Sequence, residues 1–168
     1  DNRVDQEIVS KTRRKREMHE LQALGAELAR LSEAQLASIE LPDELREALL
    51  EANRISSHEA KRRQMQYIGR LMRGLNPAPI RARLGEVEGS SAQATARHRR
   101  LESWRERLLG GDEALTEFAA EHPGADLQAL RTLIRNARKE AGTGKPPRAY
   151  RELFRVLKAI EASTAVQG

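Results

Sequence analysis

Apolar residues recur at steps of three and four through most of this chain, the spacing that puts side chains on one face of an α-helix. Met18, Leu21, Leu24, Leu28 and Leu31 form the first such stripe, in a helix predicted to begin at Lys11. Ser32 and Gln35 make a capping box that opens a short second helix. Pro42 turns the chain, and a third helix is predicted from Asp43 to about Ile55. Ser56 and Glu59, a second capping-box pair, start a fourth that runs through Leu75. The run from Asn76 to Pro79 interrupts it, because proline starts a helix better than it continues one. Ile80, Leu84, Val87, Ala94, Leu101 and Leu108 then describe one helix of about thirty residues, roughly 45 Å long. A kink or fraying is expected in it at Gly85, Gly89, Ser90 and Ser91, and Gly110 with Gly111 ends it. Short helices are predicted over 112–121 and 126–140, and a last one from Arg148 to about Ala162 after the loop that closes on Pro146 and Pro147. No stretch alternates with period two, so no sheet is predicted.

The pattern matches itself at an offset of 85 positions. Leu45, Ala48, Leu49 and Ala52 correspond to Leu130, Leu133, Ile134 and Ala137. Met65, Ile68, Met72 and Leu75 correspond to Tyr150, Leu153, Leu157 and Ile160. The polar face moves with the apolar one: Arg63, Gln66, Arg70 and Arg73 become Arg148, Arg151, Arg155 and Lys158. One offset that carries two consecutive helices, core face and charged face together, indicates a duplicated unit. The expected fold is all-α, with two helical bundles joined by a long central helix. The bounds are a flexible tail at 1–10, a first bundle at 11–77, the connecting helix at 78–109, a second bundle at 110–163 and a tail at 164–168.

Composition narrows the chemistry. Among 168 residues there are one Trp, two Tyr, two Phe and no Cys, and the net charge is +5. A core built from Leu, Ile, Ala and Met suits helices. The lack of cysteine excludes disulfides and thiolate metal sites and favours a reducing compartment. No apolar run approaches the roughly 20 residues of a membrane span, and no signal-peptide pattern opens the chain, so a cytoplasmic protein is expected. His19, His58, His98 and His122 are far apart. His58-Glu59 resembles the start of a zinc-protease motif, but Arg62 stands where the second histidine belongs. Gly142 to Lys145 resembles the end of a phosphate-binding loop, but Lys139 replaces its first Gly and Pro146 its Ser or Thr. No catalytic residue, cofactor or metal is expected.

The basic clusters carry the signal. Residues 126–160 hold nine Lys/Arg against three acids and 51–75 six against two, whereas 112–125 hold four acids and no base. Arginine dominates these clusters, and its planar fork binds phosphate bidentately. One stripe alone would be a solvated face. A duplicated stripe, several clusters and excess positive charge point instead to nucleic acid. The candidate RNA-binding residues are Lys11, Arg13, Arg14, Lys15 and Arg16, expected as an arm that orders on RNA, then Lys61, Arg62, Arg63, Arg70 and Arg73, with Arg97 and Arg100 on the central helix. Arg131, Arg135, Arg138, Lys139, Lys145, Arg148, Arg151 and Arg155 complete the set. Trp104 and Tyr67 are read as packing residues rather than stacking platforms. Without a helix-turn-helix, a zinc finger or an aromatic-lined sheet, recognition of folded RNA by shape and backbone fits best. The alternatives are a helical adaptor for an acidic protein partner and an enzyme using scattered carboxylates.

Three segments resemble the bacterial DarP (YjgA) family. Leu130-Arg-Thr-Leu-Ile-Arg-Asn-Ala-Arg-Lys-Glu140, followed by Lys145-Pro-Pro147 and a helix containing Phe154, is similar to its C-terminal signature. Lys61 to Arg73 is similar to its second signature, and Ser10 to Gly25 to its N-terminal helix. Tyr150 is bulkier than the small residue the family pattern has there. The resemblance implies two similar three-helix bundles sharing a long helix. It further implies a non-enzymatic ribosome assembly factor without cofactor, membrane or small-molecule substrate. Such a factor binds 23S rRNA on the precursor of the large (50S) ribosomal subunit, alongside other assembly factors. It contacts the future subunit interface and promotes maturation of the peptidyl transferase centre as a placeholder or RNA chaperone.

Overall fold

A computed structural model describes the backbone from Asn2 to Gln167 and the side chains from Ser10 to Gln167. The fold is all-α, and no strand occurs among the described residues. The helices are α1 (Asn2–Leu28), α2 (Glu33–Ala37), α3 (Asp43–Arg54), α4 (His58–Met72), α5 (Pro77–Gly110), α6 (Glu113–Glu121), α7 (Leu127–Glu140) and α8 (Arg148–Gln167).

Local chemistry explains most of the boundaries. Ser32 opens α2 as a capping box: its side chain accepts from Gln35 N–H while the Gln35 side chain accepts from Ser32 N–H. At α4 the cap is Ser57 rather than the expected Ser56, and it accepts from Ala60 N–H. Alanine at that third position cannot complete a box, so Glu59 is left to pair with Arg62 and Arg63. Asp126 caps α7 through Ala129 N–H. Glu140, at the end of α7, caps α8 by accepting Ala149 N–H with both carboxylate oxygens. Gly74 ends α4 with φ of 82°, a backbone that a side chain would strain.

Two helices run longer than expected. The tails anticipated at 1–10 and 164–168 lie partly outside the described residues, and within them α1 extends to Asn2 and α8 to Gln167. Neither extension contains Pro or an internal Gly, so nothing covalent stops the helix once its packed part has nucleated it. The fraying expected at Gly85, Gly89, Ser90 and Ser91 does not occur, since α5 is helical through all four. Neither glycine adopts positive φ, and each costs only about 1 kcal/mol relative to Ala.

The chain divides into two compact units, Asp1–Ser91 and Ala92–Gly168, with the division inside α5. The core of the first unit gathers Leu24 and Leu28 of α1, Leu36 of α2, Leu45 and Leu49 of α3, Ile68 and Met72 of α4, and Ile80 and Leu84 of α5. Gly25 is buried where α1 meets α4, and a Cβ there would lie 3.3 Å from Ile68 Cγ2. The core of the second unit gathers Leu101, Trp104 and Leu108 of α5, Leu115 and Phe118 of α6, Leu130 and Ile134 of α7, and Leu153 and Leu157 of α8. Trp104 meets Phe118 edge to face at 5.1 Å, so it is a packing residue. Five helices feed the first core and four the second.

The internal repeat survives in three dimensions. Leu45 and Leu130, Leu49 and Ile134, Ala52 and Ala137, Ile68 and Leu153, and Met72 and Leu157 are buried in both copies. Met65 and Tyr150 are half-buried in both, as are Leu75 and Ile160. Only Ala48 and Leu133 differ, the larger side chain being the more exposed.

Candidate nucleic-acid interface

In the second unit α7 turns Leu130, Ile134 and Ala137 inward, which leaves cations along both of its flanks. On one flank α7 and α8 form an open groove of about 680 Å³, lined by Asn136, Lys139, Arg148, Arg151 and Arg155 together with Glu140 and Glu152. The acids do little to neutralise it. Glu140 is committed to the α8 cap. Glu152 pairs only with Arg155, at 3.0 Å and mostly in solvent. Such an exposed pair is worth at most about 1 kcal/mol and exchanges readily for a phosphate. On the other flank α7 and α6 enclose a groove of about 530 Å³, with Arg131, Arg135 and Arg138 at its edge.

Of the predicted cations, Arg131, Arg135, Lys139, Lys145, Arg148 and Arg151 have side chains without a partner among the described residues, and all are exposed. Arg138 is different. Its Nε donates to Leu109 O at 3.0 Å, and its Nη2 to Leu108 O at 3.1 Å. Asp112 Oδ1 accepts from both Nη atoms at 3.2 Å. The guanidinium thus closes carbonyls that the C-terminal end of α5 leaves open, a structural duty that its sequence position did not reveal. Arg97 has no partner among the described residues, whereas Arg100 is held by Glu161.

The first unit is more self-neutralised. Glu59 serves both Arg62 and Arg63, and Arg70 lies 5.7 Å from the Tyr67 ring centre. Tyr67 donates to Glu44 at 2.6 Å, which raises the phenol pKa above its usual value. Lys61 and Arg73 keep no partner among the described residues. The cluster expected as an arm that orders on RNA lies inside α1. There Arg13 pairs with Glu17 and Arg16 with Glu20, Lys11 is engaged, and Arg14 and Lys15 are unpartnered among the described residues. The predicted cations therefore split between the two units, and the α7–α8 groove brings the most of them together.

One arrangement escaped the sequence. Arg105 of α5 places its guanidinium 3.7 Å from the Tyr150 ring centre and 5.1 Å from that of Phe154. Tyr150 donates to Glu106 at 2.8 Å. The bulk at position 150 is thus the seat of an arginine that joins α5 to α8. No described helix is long and apolar enough to cross a membrane. No group of three or more His, Asp or Glu among the described residues is placed to hold a metal ion.

Residues 7–158 match the family described as dual-action ribosomal maturation protein DarP. The chain belongs to the DarP family. A relative of that name from Cupriavidus pinatubonensis is 52% identical over 153 residues, covering 89% of this chain and 75% of the relative. One from Thiobacillus denitrificans is 52% identical over 149 residues, covering 89% and 85%. A third, from Nitrosomonas eutropha, is 48% identical over 151 residues, covering 90% and 86%. The matched span of the DarP family includes every cation of the α7–α8 groove.

Proposed function

We propose that this chain is a ribosome maturation factor of the cytoplasm that holds ribosomal RNA by its phosphates and performs no chemistry on it. The observation that carries the reading is the α7–α8 groove, where Lys139, Arg148 and Arg151 stand unpartnered among the described residues on rigid helices. Cations already fixed by helical backbone lose little freedom on meeting phosphate, and each contact releases condensed counterions. The names of the relatives supply the ribosomal context. The family resemblance supplies the finer part of the proposal: 23S rRNA of the 50S precursor, at the subunit-interface region that matures into the peptidyl transferase centre. There the protein acts as a placeholder, covering backbone phosphates so that RNA segments do not pack against each other prematurely.

Sedimentation of a cell lysate at low and high salt tests this. The wild-type protein should co-migrate with large-subunit precursors at low salt and leave them at high salt. A Lys139→Gln, Arg148→Gln, Arg151→Gln variant should stay at the top of the gradient at both. Absence of the wild-type protein from all ribosomal fractions at low salt would refute the proposal.

A further inference from the structure

The two copies of the repeat use one helix face in opposite ways. In the first unit Arg46 donates to Leu36 O and, at 2.8 Å, to Ile39 O, which ties α3 to the end of α2. Leu50 packs against the core, and Asn53 donates to Leu31 O at 3.1 Å. All three side chains are spent inside the unit. Their counterparts at the 85-residue offset are Arg131, Arg135 and Arg138. Arg138 repeats the duty of Asn53, reaching back to Leu108 O and Leu109 O. Arg131 and Arg135 do not repeat theirs: neither has a partner among the described residues, and both border the α6–α7 groove. The face that seals the first unit is left open and cationic in the second.

The lining of that groove defines what fits. Leu115, Ala119, Leu127 and Ile134 supply an apolar wall, Thr116 adds a hydroxyl, and the carboxylate in the lining, Asp112, is paired with Arg138. At about 530 Å³ it falls within the range of small-ligand sites. We infer that it takes an unpaired nucleotide of RNA, with the phosphate across Arg131 and Arg135 and the nucleoside against the apolar wall. Sequence-tolerant RNA binding commonly combines a backbone-tracking cationic groove with seats for exposed bases. The helix α7 borders both grooves, so one strand crossing it meets cations on either side. This inference rests on the RNA-binding reading above and assigns to it a second, single-strand-selective site.

The test uses the full chain and an Arg131→Gln, Arg135→Leu variant, the second change copying Leu50 of the other repeat. The probes are a short single-stranded oligoribonucleotide, a loop-free, blunt-ended double-stranded RNA stem with the same number of phosphates, and a polyglutamate peptide. Binding of the single strand should fall about tenfold or more, as expected when charge-assisted contacts to phosphate are lost. Stem binding should change less than about threefold, because phosphates on the α7–α8 face carry it. In the wild-type protein the single strand should shift the methyl NMR signals of Leu115, Leu127 and Ile134. A parallel loss for strand and stem, unchanged strand binding, silent methyls, or methyls that answer to polyglutamate and not to RNA would each overturn the site. A wild-type protein that binds neither RNA at low salt would sink the RNA-binding reading itself, and the groove with it.

Discussion

The guanidinium of Arg105 sits 3.7 Å from the centre of the Tyr150 ring, and its Nε is buried without a hydrogen-bond partner. A buried donor left unpaired is costly, and here the electron-rich ring face offsets part of that cost. Tyr150→Ala should therefore destabilise the protein by about 2–4 kcal/mol, through the lost ring and the stranded cation together. Tyr150→Phe keeps the ring and loses only the bond to Glu106, a change of about 1 kcal/mol. Denaturant unfolding of the two variants checks the order. Equal losses would mean that the ring contributes nothing.

Alkaline pH probes the same contact and a second tyrosine–carboxylate bond, in the first unit. The hydrogen bond to Glu106, then partial burial, raises the Tyr150 pKa, with Arg105 opposing. The bond to Glu44 is likewise the largest cause for Tyr67. A raised phenol pKa means that the folded state prefers the neutral form. Its stabilising contribution is complete below the ordinary value of 10.0 and disappears as pH rises through the native value. Phenolate absorbance of the native protein should accordingly develop above pH 10.0, with stability declining over that same interval. Titration of either tyrosine below its ordinary pKa would contradict the geometry.

Arg138 and Arg151 should separate folding from binding. Arg138→Ala removes the donors to Leu108 O, Leu109 O and Asp112, and should cost about 1–3 kcal/mol of stability. Arg138→Lys should not restore it, because one ammonium cannot span the three acceptors. Arg151→Ala should leave stability within about 0.5 kcal/mol. It should also flatten the dependence of log K on log salt by about 0.7–0.9, the contribution of one phosphate contact. Paired unfolding and salt-titration measurements decide the matter. The opposite assignment of effects would show that Arg138 is the contact residue and Arg151 the structural one.

Local signals carried the helices well, because each depends on residues close in sequence. The Ser32–Gln35 box formed as read, and the 85-residue repeat predicted burial at Leu45, Leu49 and Ile68 and their counterparts Leu130, Ile134 and Leu153. The cap of α4 was misplaced by one residue because Ser56 and Ser57 are adjacent and either fits the pattern. Distinctions among cations were not legible. Arg131, Arg135 and Arg138 share one helical face, and only tertiary neighbours, the carbonyls of Leu108 and Leu109, set Arg138 apart. Arg105 was invisible as a partner of Tyr150 for the same reason: 45 residues separate them in the chain.

The long helix α5 belongs to both cores, supplying Ile80 and Leu84 to one and Leu101, Trp104 and Leu108 to the other. Between Glu88 and Arg97 every residue is exposed, and the first side chains beyond them to touch another helix are His98, against the Phe154 ring, and Arg100, paired with Glu161, so the turns between are held by backbone hydrogen bonds rather than by packing. An unsupported stretch of helix is marginal in water. Melting of one unit thus withdraws support from only half of α5, and the cooperative melting of one core stops where the exposed turns begin. A defect that unfolds the first core should therefore leave the enthalpy of the second intact, and calorimetry should record the two units as separate transitions.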